Sequence, residues 1–522
     1  MPDQPSETLA QLSGALAAFP TVTEANPVAV GPASPAARAA AAAAAAAGPV
    51  RPAPPKDRKL EELLQRIKGI SPPAPESPTA QAIADGEFVP LEPASLAEAK
   101  LTQGEVEALL IKLLAARTDA TGRQISDQLK LPFLVIEQML GQLKTEQLIV
   151  HKGSAVMNDY VYQLTEIGHQ RARSLADRST YFGAAPVVLK DYIASVGAQS
   201  LTTQHPKASD LEEAFSDLLI NKTMLRRLGP ALNSGRGLFL FGPAGNGKSS
   251  IAERATRAFG QFIWIPRCIS VDGEIIRLFD PVCHDEVPLE SNPGLLEPQK
   301  VDRRWVRIRR PTIIAGGELT MDNLEVTLNR ATGINEAPLQ LKSNCGILVI
   351  DDFGRQRMGT DELLNRWIVP LEKRCDFLNL ASGKKVQVPF DQLIIFSTNL
   401  EPKELVDDAF LRRIPYKIEV KDPSEEEFRD LFKLMCPKLG FEYRDEAITY
   451  LLDKHFRSVG RAMRCCQPRD LLLQLRNQCL FEGWPLEISN ELLDFAVENY
   501  FAIVVHSQEH DARLPSRMSS RS

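Results

Sequence analysis

The sequence predicts an α/β protein built around a parallel sheet, and three stretches predict it. Leu238-Phe239-Leu240-Phe241 is an apolar run that breaks into a glycine-rich turn, followed by a helical segment from Ile251 to Phe259. Gly346-Ile347-Leu348-Val349-Ile350-Asp351-Asp352-Phe353 is a continuous β-branched run ending in two carboxylates. Leu393-Ile394-Ile395-Phe396-Ser397-Thr398-Asn399 is another, ending in polar residues. Unbroken apolar runs of this length are strands covered on both faces, as parallel strands are.

The turn after the first run is Gly242-Pro243-Ala244-Gly245-Asn246-Gly247-Lys248-Ser249-Ser250. Gly242, Gly247, Lys248 and Ser249 fit the phosphate-loop pattern of Gly, four residues, Gly-Lys-Ser. Glycines let successive backbone N–H groups curl around an anion. The following helix points its positive dipole end at the same place. Lys248 supplies a charge for β- and γ-phosphates, and the Ser249 hydroxyl is a Mg²⁺ ligand. Asp351 and Asp352 end their strand where ligands bind in parallel sheets. Asp351 fits the position that holds Mg²⁺. Asp352 fits the position that polarises an attacking water.

The whole chain has 522 residues, 44% of them hydrophobic, which predicts two or three domains with real cores. A net charge of −6 argues against a globally basic nucleic-acid protein but leaves room for a local patch. Eight cysteines are scattered without a C-x-x-C, which suggests a reducing compartment and no zinc site. The N-terminus lacks a basic region followed by an apolar core, and no apolar run reaches membrane-spanning length. A cytoplasmic protein with no membrane contact is expected.

Taken in order, residues 1–98 read as a disordered, low-complexity tail rich in Pro, Ala, Ser and Glu, with an alanine run from Ala39 to Ala47. Its one patterned piece places Leu60, Leu63, Leu64 and Ile67 on a single helical stripe. It reads either as a docking helix or as a transient helix in a tail. Residues 99–180 read as a small folded unit. Val106, Leu109, Leu110, Leu113 and Leu114 form a helical stripe. Gly122 to Leu129 reads as a second helix and Phe133 to Leu143 as a third. Leu148-Ile149-Val150 and Tyr160 to Thr165 then read as a two-stranded wing. This order resembles a winged helix-turn-helix. Its charges are nearly balanced, ten cations against nine carboxylates. The third helix offers no Arg or Asn at its N-terminal end to read base edges. Protein docking or self-association is therefore preferred over DNA binding for this unit.

Residues 181–204 read as a connector, and Asp210 to Leu219 as a helix leading toward the glycine-rich loop. Beyond the loop, Phe262-Ile263-Trp264-Ile265-Pro266 reads as a second buried strand of the core. Residues 267–345 exceed a simple crossover and read as an insertion with its own strands. They carry the basic run Arg303-Arg304-Trp305-Val306-Arg307-Ile308-Arg309-Arg310. That run reads as nucleic-acid contact, strand edge or subunit surface.

Phosphate loop, acidic strand end, strand ending in Asn399, paired Arg412-Arg413, then Arg469 in a helical region: this order resembles the AAA+ ATPase family over roughly residues 205–500. The resemblance implies an α/β ATPase domain at 205–420, a helical lid at 421–500 and a tail at 501–522. It implies ATP and Mg²⁺ as cofactors and a homo-oligomeric, commonly hexameric, ring with ATP at subunit contacts. By the same resemblance Asn399 positions the water near the γ-phosphate. Arg413, with Arg412 as the alternative, reaches the neighbouring subunit's ATP as an arginine finger, and Arg469 is the lid's nucleotide sensor. The family usually ends its acidic strand in Asp-Glu. Asp352 is one methylene shorter, which implies slower hydrolysis or, as a further reading, a nucleotide switch.

Between the acidic strand and the Asn399 strand, Phe377 to Phe390 carries a Ser382-Gly383 turn between alternating runs and reads as a β-hairpin. It resembles the hairpin inserted before the sensor strand in the MoxR-like, sigma-factor-activator and chelatase branches of the family. Such hairpins face the ring's pore, so Lys384-Lys385 reads as substrate contact or as an ordinary solvated turn. The expected function is chaperone-like remodelling of an unidentified protein partner by an ATPase ring. The alternative is a DNA-associated motor or transcription regulator.

Overall fold

A computed structural model describes residues 81–84, 87–289 and 300–511 of the chain. The alanine run and the Leu60–Ile67 stripe lie outside these residues. Strands are present before residue 98. Strands β1 (Gln81–Ala84) and β2 (Glu87–Pro90) form an antiparallel hairpin. The Phe88 ring lies 5.5 Å from that of Trp305, and Leu91 bridges to Val301. The expected tail to residue 98 is corrected: an aromatic pair ties its last part to the body.

The unit over 99–180 forms the elements read from its sequence. Helix α1 (Gln103–Arg117) starts at a reciprocal Thr102–Glu105 capping box. Strand β3 (Asp119–Thr121) and α2 (Gly122–Leu129) follow, α2 with a Thr121–Gln124 box. Pro132 sets the start of α3 (Phe133–Thr145). Strands β4 (Ile149–Ala155) and β5 (Asp159–Leu164) complete a sheet in the order β3-β5-β4. The buried carboxylate of Asp159 accepts N–H groups of Gly122 at 3.1 Å and Arg123 at 2.9 Å, fastening the hairpin to the head of α2. Helix α4 (Glu166–Ala176) closes the unit.

The surroundings of this unit are packed against it. The connector at 181–204 is packed structure, with β6 (Val187–Val188) and α5 (Leu189–Ala198). Tyr192 of α5 is buried, its hydroxyl donating to the Leu341 carbonyl at 3.2 Å and accepting from Asn344 at 2.8 Å. Two arginines of the basic run turn inward, while Arg303 and Arg309 stay exposed. Arg304 is buried, chelates Asp302 (2.7 Å) and donates to the carbonyls of Ala99 (3.0 Å) and Pro186 (3.1 Å). Arg310 is buried on the carbonyls of Gly260 (2.8 Å), Gln199 (3.2 Å) and Cys345. These guanidiniums satisfy main-chain acceptors where chain segments meet, so they are not a surface for nucleic acid.

Helices α6 (Ala208–Ala214) and α7 (Lys222–Asn233) lead into β7 (Leu238–Phe241), and the loop runs into α8 (Lys248–Ala255). The next strand, β8 (Phe262–Pro266), is buried as read, but it is not in the central sheet. Strands β9 (Cys268–Val271) and β10 (Glu274–Arg277) form a hairpin. Strand β11 (Trp305–Arg309) pairs antiparallel with β8. Strand β12 (Thr312–Ala315) pairs with the acidic strand at the edge of the central sheet. Strands β13 (Thr327–Asn329) and β14 (Ile334–Glu336) join a second sheet in the order β13-β14-β10-β9-β6. The insertion therefore has its own sheet. Its Cys268, Ile275 and Ile334 pack into the core of the 99–180 unit.

After α9 (Leu339–Lys342) comes β15 (Ile347–Ile350), then α10 (Thr360–Lys373) and the expected hairpin, β16 (Cys375–Asn379) with β17 (Lys385–Pro389). Strand β18 (Leu393–Thr398), helices α11 (Pro402–Leu405) and α12 (Asp408–Arg413) and strand β19 (Tyr416–Glu419) complete the body. The central sheet is parallel in the order β12-β15-β18-β7-β19. Its strands have no polar side because alternate residues fill two cores. Leu238, Leu240, Ile347, Val349, Leu393 and Ile395 face one layer with α6, α7 and α8. Phe239, Leu348, Ile350, Ile394 and Phe396 face the other, with Trp367 and Phe410. This is the α/β phosphate-loop architecture that the AAA+ resemblance implied.

The lid is helical: α13 (Glu425–Leu439), α14 (Asp445–Leu452), α15 (Gln467–Glu482) and α16 (Asn490–Asp511). Helix α16 continues past residue 500, where a tail was expected, because Phe501 packs on the lid core and lies under the Arg461 guanidinium at 3.7 Å. Among the described residues, no helix is long and apolar enough to cross a membrane. The Arg304 clamp is testable. Arg304→Ala leaves Asp302 buried without its partner and is expected to cost about 3–5 kcal/mol. Urea unfolding should show a lower midpoint, and a loss under 1 kcal/mol would rule out the clamp as a structural necessity.

Candidate functional site

Parallel strands end at a common edge of their sheet, and the residues singled out in the sequence meet there. The loop that follows β7 needs its glycines. Gly242 has φ 134°, and a Cβ on it would stand 2.4 Å from the Val420 carbonyl oxygen. Gly247 has φ 81° and caps α8 from the left-handed region. Between them, Pro243, Ala244, Gly245 and Asn246 form the turn, with Lys248, Ser249 and Ser250 in the first turn of α8.

Lys248 is nearly buried. Its ammonium donates to the carbonyls of Gly242 (2.9 Å) and Pro243 (3.0 Å) and to Asn399 Oδ1 (2.7 Å). Burial lowers its pKa and nearby Arg464 adds to the effect, while Asp351 and Asp352 oppose it. The amide of Asn399 also donates to Asp352 Oδ1 at 3.3 Å. Lysine, asparagine and carboxylate thus form one chain across β7, β18 and the end of β15. Ser249 Oγ donates to Asp351 Oδ2 at 2.8 Å. A hydroxyl and a carboxylate in contact are a hard-oxygen pair suited to Mg²⁺.

Asp352 sits at φ 48°, a region that disfavours side chains. Its neighbour holds it there. The Phe353 N–H donates to the Ser397 carbonyl at 2.7 Å, and the ring is buried 4.9 Å from Phe396 and 6.0 Å from Phe239. The chain leaves β15 abruptly, and the exposed Asp352 carboxylate faces the Asn399 amide.

A cleft of about 630 Å³ opens over the loop, a size typical of small-molecule sites. It is lined by Ala244 to Ser250, Asp351, Asp352, Asn399 and, from the lid, Arg469 in the first turn of α15. Arg469 is exposed and pairs with Asp470 at 2.9 Å. Arg413 does not line this cleft. It ends α12 and pairs with Glu372 at 2.6 Å, while the adjacent Arg412 is exposed.

The sequence reading missed the apolar wall. Leu218, Leu219 and Ile220, just before α7, line the cleft opposite the lid's Leu434 and Met435. A hollow of about 180 Å³ beside it is lined by Ile220, Met224, Ile251, Val420 and Leu431. The Leu218–Ile220 run is visible in the sequence, but nothing in its spacing ties it to residues two hundred positions away. Arg355, just past the carboxylates, also lines the cleft and was not singled out.

A family model described as a domain of unknown function (DUF8689) matches residues 424–499, the helical lid. No curated protein sequence matches the chain. Among solved structures, the Thermotoga maritima RuvB Holliday junction branch migration motor aligns with 15% identity over 55% of this chain and 72% of that one, at a TM-score of 0.31. A mutant of the same protein aligns with 14% identity over 54% and 71%, at 0.33. At these identities and scores, no conclusion about function rests on the similarity.

Proposed function

We propose that the chain binds ATP with Mg²⁺ in the loop cleft and hydrolyses it as an AAA+ ATPase, in a ring that remodels a protein partner. The observation that carries this reading is the junction of three separate segments at one sheet edge: Lys248 on Asn399, Asn399 on Asp352, and Ser249 on Asp351. Each step of the chemistry has a residue. The N–H groups of the loop and the α8 dipole bind the phosphates. Lys248 exchanges its carbonyl acceptors for phosphate oxygens. Ser249 and Asp351 would hold Mg²⁺, which when bound neutralises charge on the phosphates. Asp352 accepts a hydrogen bond from water and takes its proton as the water oxygen attacks the γ-phosphorus and ADP leaves with the bridging oxygen, with Asn399 fixing the orientation. The short side chain of Asp352 favours modest turnover. Arg469 reaches in from the lid.

In this reading Arg413, or Arg412 beside it, serves the cleft of a neighbouring subunit. Lying outside its own cleft is what action in trans requires. The β16–β17 hairpin follows the pattern of the MoxR-like branches. Its tip is tethered to the insertion, Lys384 to Asp272 at 3.3 Å and the Ser382 N–H to Glu274 at 3.1 Å.

The 99–180 unit, read as a winged helix, selects the partner. Its exposed features favour protein over DNA. Leu134 near the start of α3 and Val156 and Met157 at the wing tip are 60, 86 and 78% exposed. Arg123 stacks over Phe133 at 4.8 Å. Such apolar tips suit a protein surface better than a phosphate backbone.

Three measurements test these assignments. Lys248→Ala should abolish ATP binding, whereas Asp352→Asn should retain it and lower turnover by about a hundredfold or more. Full turnover in Asp352→Asn removes Asp352 from the chemistry. Arg413→Ala should keep ATP binding and lose about a thousandfold in turnover. If Arg412→Ala has that effect instead, the finger is Arg412. Filter binding of the full chain to duplex DNA should be weak and only mildly salt-dependent. Tight binding that falls steeply with salt would reverse the choice of partner.

A further inference from the structure

The tip of the phosphate loop is fastened to the lid. Asn246 is only 4% exposed, and both ends of its side-chain amide are used. Its Nδ2 donates to Asp422 Oδ1 at 2.7 Å, and its Oδ1 accepts the Cys465 N–H at 3.2 Å. Only this amide orientation satisfies both partners, since a carboxylate cannot donate and a backbone N–H cannot accept. One residue earlier, the Gly245 carbonyl accepts the Cys466 N–H at 2.9 Å. A Cβ on Gly245 would stand 2.6 Å from Cys466 Sγ, so the two segments are in close contact. Asp422 lies between β19 and α13, where the chain passes from body to lid, and it also pairs with Arg464.

The loop needs such an anchor. Asn246 stands between two left-handed glycines, Gly245 at φ 84° and Gly247 at φ 81°. Glycine gives the backbone its widest freedom, so the peptides on either side of Asn246 can turn their N–H groups away from a bound anion. A tether on the intervening side chain removes those alternatives before the ligand arrives and lowers the ordering cost of binding.

We infer that Asp422 is a positioning residue for nucleotide binding. Through Asn246 it holds the phosphate loop in its anion-accepting shape, and through Arg464 it makes that shape depend on the lid being docked. This rests on the reading of the cleft as an ATP site. The lid then does more than cover the nucleotide: lid and loop respond together, with Asp422 as their shared acceptor.

The test uses the full chain in four forms: Asp422→Ala, Asp422→Asn, Asn246→Asp, and the exchange Asn246→Asp with Asp422→Asn. Affinity for a fluorescent ATP analogue should fall about tenfold in Asp422→Ala, the scale of one charged hydrogen bond. It should fall further in Asn246→Asp, where two carboxylates face each other, and about threefold in Asp422→Asn, which keeps an acceptor for Asn246 but loses the Arg464 pair. The exchange restores one donor and one acceptor and should recover most of the affinity. A second readout needs no nucleotide. Hydrogen exchange at the Cys465 and Cys466 amides should be slow in the parent chain, faster by about tenfold in Asn246→Asp, and slow again in the exchange. Unchanged affinity in Asp422→Ala, or singles weakened with no recovery in the exchange, overturns the proposal. If the parent chain binds no ATP, the ATP reading fails, while the amide exchange still decides whether the tether exists.

Discussion

Burial of the β15 strand on both faces is the constraint from which the site follows. Ile347, Leu348, Val349 and Ile350 are all inaccessible, so the strand can lie only in the interior of a parallel sheet with helices on either side. Parallel strands bring their carboxyl ends to one edge. Asp351 and Asp352 must therefore emerge beside the ends of β7 and β18, which carry the glycine loop and Asn399. The contacts of Ser249 with Asp351 and of Asn399 with Asp352 are consequences of that packing.

Polar groups taken into such a body must be matched. Arg304 with Asp302 and Arg310 with three carbonyls are charges buried where chain segments cross. Arg304 is matched by a carboxylate and two carbonyls, and Arg310 by carbonyls from three segments, and such hydrogen bonding is what lets a buried charge be tolerated. The same holds for the left-handed Asp352, whose unfavourable backbone persists because Phe353 is anchored in the aromatic core below it. Strain and charge here sit at the junctions that align the site with its surroundings.

The 99–180 unit is not hung on a linker. Its core includes Cys268 of the insertion, with Ile275 and Ile334 packed against it. The Thr180 N–H donates to the Thr332 carbonyl and the Ala185 N–H to the Leu129 carbonyl, each at 2.8 Å. The unit is therefore packed on the insertion that lies between β8 and β15. The lid is tied at the other end of the site, through Asp422, Asn246 and the Cys465 and Cys466 amides.

The sequence by itself determined the elements whose physics is local or periodic. The loop glycines, the strand of β15 with its terminal carboxylates, the Asn399 strand, the β16–β17 hairpin and the α1 stripe are all legible, because each follows from backbone freedom or one-dimensional patterning. What only the tertiary structure decided is pairing across long separations. An apolar run such as β8 states that it is buried but not in which sheet, and β12, lying inside the insertion between Pro311 and Gly316, carries no motif that announces it as the edge strand. Arginines in an alternating run do not reveal that Arg304 and Arg310 turn inward to cap carbonyls. Leu218 to Ile220 do not reveal that they form one wall of the cleft, nor does Asp422 reveal that it anchors Asn246. Those assignments depend on which surfaces meet when the chain closes on itself, and that information is carried by burial and hydrogen-bond satisfaction in three dimensions.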